Sequence, residues 1–159
     1  MECGCGLETT MSRVDDAVQC FCRGAACSQA ILATYGPSVG LPVEQGMKLA
    51  SGFAGGMRLA QTCGAVTGAF MVLGLKYAGP NCDHRDGREE VYNALRKFTV
   101  AFQERNHTVV CKDLLGCDIS TPEGLAVHRQ GVHRARCTKL VRDAVEIVSI
   151  LAAPPGSRR

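Results

Sequence analysis

CGAVTGAFMVLGLKY, residues 63–77, is the stretch whose reading decides the fold. It reads as one helix from Cys63 to Tyr77. Gly64 and Gly68 lie four apart, and so do Ala65 and Ala69. Small residues at that spacing share a helix face and let a neighbouring backbone come close. The apolar run at 65–75 is interrupted by Thr67, Gly68 and Gly74. It falls well short of the roughly 20 residues that a membrane-spanning helix needs. Just upstream, SGFAGGMRLAQ at 51–61 is rich in glycine, and Gly55-Gly56 reads as a turn leading into this central helix.

Outward from there, most segments are helical. Residues 10–22 form a first helix, with Ser12 as N-cap and Asp15 and Asp16 in its first turn. Gly24 breaks it. A second helix covers 27–35 and ends at Gly36-Pro37. Pro42 opens a third that runs to Phe53. Residues 88–105 are amphipathic, with Val91, Leu95, Phe98 and Phe102 at helical spacing. A short helix follows near 110–115. Ser120-Thr-Pro-Glu123 has the form of a capping box. The last helix covers 137–151. No run alternates as a strand would, and no internal repeat is visible. The expected fold is all-α: a single compact bundle of six to eight helices. Its helical domain spans 12–151, between a flexible cysteine-containing N-terminus at 1–11 and a disordered tail at 152–159.

Composition narrows the function classes. The chain has 159 residues, 46% of them apolar and 21% charged, with a mean hydropathy of +0.02. These values suit one soluble globular domain. A net charge of +3, 5% aromatics and no tryptophan argue against a nucleic-acid partner. Ten cysteines are the anomaly. Disulfide frameworks rescue chains too short to build a core, and this chain is long enough without them. Its first residues, MECGCGLETTMSR, show no secretory pattern, so a cytoplasmic location and reduced thiols are expected.

Four cysteines stand out by context. Cys27 and Cys63 sit at expected helix N-termini, where the helix dipole and free N–H groups favour a thiolate and lower the thiol pKa. Cys111 precedes a Leu-Leu pair on the short helix, and Cys137 opens the final one. Four thiolates drawn from helix ends suit a soft centre, an iron–sulfur cluster or zinc. The chain contains no C-x-x-C pair, so zinc-ribbon and thioredoxin spacing are both missing, and without C-x-x-C-H a c-type haem is not expected. Cys3, Cys5, Cys20 and Cys22 form two C-x-C pairs that read as local thiols. Cys82-Asp-His84 reads as a solvated turn. His107, His128 and His133 lack zinc-ligand spacing and read as surface residues. No lysine-serine or lysine-threonine follows Gly52, Gly55 and Gly56, so they mark a tight turn and not a phosphate loop. No catalytic residue is assigned, because no triad or carboxylate pair can be placed.

Taken in order, GAACSQAIL, LASGFAGGM, TCGAVTGAFMVLGLKY, VVCKDLLGCDISTPEGL and ARCTKLVRDAVEIVSIL form a pattern over residues 18–151. It resembles a family of redox-active proteins named for their cysteine motifs: a lone Cys, a CGAxxG stretch and two further Cys. Cys27, Cys63, Cys111 and Cys137 match those positions. Cys117 matches one that is not always Cys. The resemblance implies a helical domain related to the iron–sulfur part of split-Soret cytochromes, which are dimers carrying haems as well as a cluster. Haem-attachment motifs are missing here, so only the cluster half carries over.

The leading expectation is therefore electron transfer or redox sensing through an iron–sulfur cluster. Cys27, Cys63, Cys111 and Cys137 would hold it, Cys117 would stand in for a neighbour, and Gly64 would let the backbone close on it. An electron carrier or metal-binding redox protein fits better than a hydrolase or transferase. The alternatives are a thiol–disulfide protein, using Cys111 with Cys117 or Cys63 with a partner, and a structural or storage protein for zinc. A redox partner protein is implied. The resemblance and the apolar helix faces point to a homodimer, with no membrane span.

Overall fold

The computed structural model describes residues 12–131 and 133–153. The N-terminal segment 1–11 and tail residues 154–159 lie outside that range. Eight α-helices occur among the described residues: α1 (Arg13–Cys22), α2 (Cys27–Tyr35), α3 (Val43–Ala50), α4 (Gly64–Tyr77), α5 (Glu89–Asn106), α6 (Cys111–Leu115), α7 (Pro122–Arg129) and α8 (Arg134–Leu151). The described residues form no strand. One isolated antiparallel bridge joins Thr62 to Val110. The all-α bundle is thus the observed fold.

Local chemistry explains where the helices start. The Ser12 hydroxyl accepts the Asp15 N–H at 3.2 Å and caps α1. The N–H of Ala26 donates to the Gln29 side chain at 2.9 Å ahead of α2. Four boundaries differ from the sequence reading. Pro42 is the N-cap of α3 and not its first residue, and α3 stops at Ala50 as the chain tightens into a 3-10 turn at Ser51–Phe53. The Ser120 capping box does not form. Thr121 caps α7 instead, accepting the Gly124 N–H at 3.1 Å, while Ser120 donates to Asp118. The last helix begins at Arg134, which moves Cys137 from its first residue to the end of its first turn.

Helix α4 is the centre of the bundle, packed against α2, α5 and α8. Its Ala65, Val66, Ala69, Val72 and Leu73 are fully buried. The small face works as its spacing suggests: a Cβ on Gly68 would lie 2.9 Å from the Ser28 carbonyl oxygen of α2. On α5, Phe98 and Phe102 are fully buried and stack with ring centroids 5.8 Å apart. Phe98 also meets the edge of Phe70 at 5.9 Å. Such pairs add to what burial alone contributes. Tyr35 donates its hydroxyl to the Val145 carbonyl of α8 at 3.1 Å.

A second, smaller apolar cluster sits at one end of the bundle. It consists of Ala60, Cys111, Leu115 and Ile119, flanked by Cys117 and Cys137. The glycine-rich turn feeding it has an unusual backbone. Gly55 and Gly56 have φ of 61°, followed by Met57 at 58°, Arg58 at 60° and Ala60 at 53°. This is a left-handed turn made partly of residues with side chains. Each non-glycine residue there costs roughly 1–2 kcal/mol against the right-handed form.

Candidate functional site

Hydrogen bonds across the turn and α6 fix the site's frame. The Cys63 N–H donates to the Val109 carbonyl at 2.8 Å, and the Cys111 N–H donates to the Gln61 carbonyl at 2.5 Å. Together with the Thr62–Val110 bridge they place the start of α4 beside the start of α6. Glycine brings α2 to the same point. A Cβ on Gly64 would overlap the Cys27 sulfur, so that sulfur rests directly on the α4 backbone. Helix α8 joins from the other side, where Arg136 donates to the Leu115 carbonyl at 2.6 Å.

The result is a cavity of about 280 Å³ lined by Cys27, Cys63, Cys111 and Cys137. Four thiols separated by up to 110 positions in the chain meet there, each from the first turn or the cap of a helix. Cys63 and Cys111 are 4% and 5% exposed, and Cys27 and Cys137 are half-buried. Among the described residues, no three His, Cys, Asp or Glu side chains stand close enough to share one metal ion. Cys117 does not line the cavity. It flanks the small cluster that contains Cys111, its thiol 3.9 Å from the Gly124 carbonyl oxygen, and it acts on both Cys111 and Cys137.

The thiols are not activated in the way that helix starts alone suggest. Burial pushes Cys63 well above the usual thiol range, and the neighbouring Cys27, Cys111 and Cys137 push it further. The opposing influence is a hydrogen bond to its sulfur from the Ala65 N–H. Cys111 and Cys137 are pushed up to about 12, again mainly by burial and then by adjacent thiols, Cys27 foremost. At Cys63 desolvation and mutual repulsion outweigh the helix dipole, which corrects the expectation of a lowered value there. Without a cation among them these three thiols stay protonated at neutral pH.

The remaining candidates lie elsewhere. Cys20 is buried in the main core and Cys22 is exposed at the end of α1, so two residues apart they do face different ways. Cys82 is exposed in its loop, next to an exposed Asp83–His84 pair at 3.5 Å. Cys3 and Cys5 lie outside the described residues.

A family model described as "Putative redox-active protein (C_GCAxxG_C_C)" matches residues 25–151. The chain belongs to this family. The matched range contains Cys63-Gly-Ala-Val-Thr-Gly68, which has Cys before Gly where the family's description reads GCAxxG. No curated protein and no solved structure matches the chain significantly. Among the described residues, no helix is long and apolar enough to cross a membrane.

Sequence reasoning missed two arginines at this site and misread two histidines as surface residues: His128 is half-buried and lines the cavity. His133 is 7% exposed and not a surface residue. Its ring lies parallel to that of His128, centroids 6.2 Å apart. Arg58 and Arg134 line the cavity as well. A heptad-like spacing could not have flagged Arg58, because its position depends on a left-handed backbone that Gly-Gly-Met-Arg does not announce.

Proposed function

We propose that the four convergent thiols hold an iron–sulfur cluster used for electron transfer or redox sensing. The observation that carries this reading is the meeting of Cys27, Cys63, Cys111 and Cys137 around one cavity of about 280 Å³. The donor set fits: thiolates are the ligands of such clusters. The cavity of about 280 Å³ leaves room among the thiols for a centre of several atoms, whereas a single zinc at a Zn–S distance of about 2.3 Å would have to draw all four sulfurs to within about 4 Å of each other.

When bound, the cluster supplies a one-electron donor and acceptor. The chain does the rest. Cys63 and Cys111 keep the inner side dry through their burial. The Ala65 N–H hydrogen-bonds the Cys63 sulfur, an interaction that raises the potential of a cluster by easing added negative charge. Gly64 leaves space for the Cys27 sulfur against α4. Arg58 and Arg134 place positive charge on the cavity wall.

A thiol–disulfide role is less well supported. Attack on a disulfide needs a thiolate, and thiols pushed up to about 12 carry little thiolate at pH 7. The deciding measurement is iron and sulfide analysis with a visible spectrum, on protein prepared without oxygen. Bound iron and sulfide with absorbance that Cys63→Ser removes is the expected result. A colourless, iron-free protein from such a preparation overturns the proposal.

A further inference from the structure

Arg58 occupies a position where glycine would be free of strain. Its φ of 60° lies between Met57 at 58° and Ala60 at 53°, in a turn opened by Gly55 and Gly56. Strain that persists at a cavity wall points to a task for the side chain that incurs it. Arg58 lines the cysteine cavity together with Arg134 and His128. No aspartate or glutamate lines it. Among the described residues, neither arginine forms an ion pair.

The two arginines are prepared differently. Arg134 is fixed: its guanidinium lies over the Phe21 ring at 5.7 Å and donates to the Cys22 carbonyl at 2.5 Å. Those bonds leave other N–H groups of the fork unused. Arg58 is exposed. Its charge reaches His128, whose own titration it depresses after the larger effects of burial and His133. A second, independent observation marks the same wall. Nδ1 of His128, a lining residue, is buried and has no hydrogen-bond partner, and neither has the buried His133 ring stacked on it. Buried polar atoms without partners are rare enough to call for a missing group.

We propose that the mouth of this cavity receives a small anion, an oxyanion or a carboxylate, held by Arg58 and Arg134 beside His128. Guanidinium groups suit such ligands because the parallel N–H groups of one fork match two oxygens at once. The unpartnered Nδ1 of His128, with the ring proton on it, would add a donor at its edge. The anion would sit directly above the sulfur-lined floor. The inference goes beyond the cluster reading and does not depend on it, since it concerns the wall and not the thiols.

The test uses the full-length chain, reduced and metal-free, so its failure is separate from any failure of the cluster reading. Titration calorimetry at low ionic strength is run with inorganic sulfate, inorganic phosphate and citrate. Sulfate and phosphate report an oxyanion site, and citrate reports a carboxylate site. The expected result is saturable binding of at least one of them, weakened by added salt. Arg58→Gly should reduce that affinity about tenfold or more, since it removes one charged fork. The same variant should melt about 1–3 °C higher, because glycine relaxes the turn by more than the added freedom of the unfolded chain offsets. Arg58→Gln keeps the strained backbone and loses the charge, so it should lose affinity without the gain in melting temperature. Absence of binding to the unaltered protein overturns the proposal. So does an Arg58→Gln variant that binds as tightly as the original.

Discussion

In the main core Phe70, Phe98 and Phe102 interlock between α4 and α5, and the buried Asp143 is fully answered. Lys139 donates to it at 2.6 Å and Asn106 at 2.9 Å, while Arg105 stands 3.6 Å away. Around the cysteine cavity four thiols crowd together, a turn runs left-handed through three non-glycine residues, and three histidine nitrogens have no partner. The first region meets its demands of packing and polarity. The second leaves several of them open. Natural chains relax local rules where function sets the requirements, so the contrast separates the part that holds the fold from the part that uses it.

The largest effect that could break this contrast is at Phe98. Phe98→Ala removes a fully buried ring with two aromatic neighbours and should cost about 3–5 kcal/mol of stability. Denaturant unfolding measures it. Cys63→Ser, the variant that should abolish cluster loading, changes one atom and should leave the metal-free fold within about 1 kcal/mol. If the two variants lose equal stability in the metal-free state, the division between scaffold and site is wrong.

The thiols sharpen the comparison through pH. Cys111 and Cys137 have folded values pushed from 9.0 to about 12, and Cys63 is raised as well. The folded protein therefore keeps protons that the unfolded chain releases. That contribution is fully present below about pH 9 and is lost progressively as pH rises toward 12. The reduced metal-free protein should show a falling denaturation midpoint between pH 8.5 and pH 10.5 (values chosen to straddle roughly the ordinary thiol range). Replacing Cys111 and Cys137 by serine together should flatten that fall. A midpoint that drops just as steeply in the double variant assigns the effect to lysines and tyrosines instead.

The two regions were also unequally legible in the sequence. The scaffold follows from periodicity: Phe98 and Phe102 recur at helical spacing, and both prove fully buried. Val91 and Leu95 share that spacing but are only half-buried, because Ala94 takes the inner position. At the site the cysteines drew attention by their number and by their places at helix starts. Their grouping could not be read from spacing, since it depends on Gly64 admitting the Cys27 sulfur and on the Cys63–Val109 and Cys111–Gln61 hydrogen bonds. The raised thiol values escaped for a similar reason. A helix start is a local feature, whereas burial and crowding depend on how distant segments pack. His133 read as a surface residue because nothing in its neighbours shows that it will stack on His128.

The smallest expected effect tests whether the strain itself is real. Met57 has φ of 58° and is half-buried beside Arg58, but it does not line the cavity. Met57→Gly removes a left-handed penalty of roughly 1–2 kcal/mol. It also gives the unfolded chain more freedom, which offsets about 0.4–1 kcal/mol, and it forfeits some packing of a half-buried side chain. The net result should be a gain of a few tenths of a kcal/mol, or about 1 °C in melting temperature. Phe98 offers no such gain to any substitution, since its backbone is relaxed and its side chain is fully used. A clear loss of stability in Met57→Gly would mean that the turn is held by the Met57 side chain and not against it, and the two regions would then be built on the same terms.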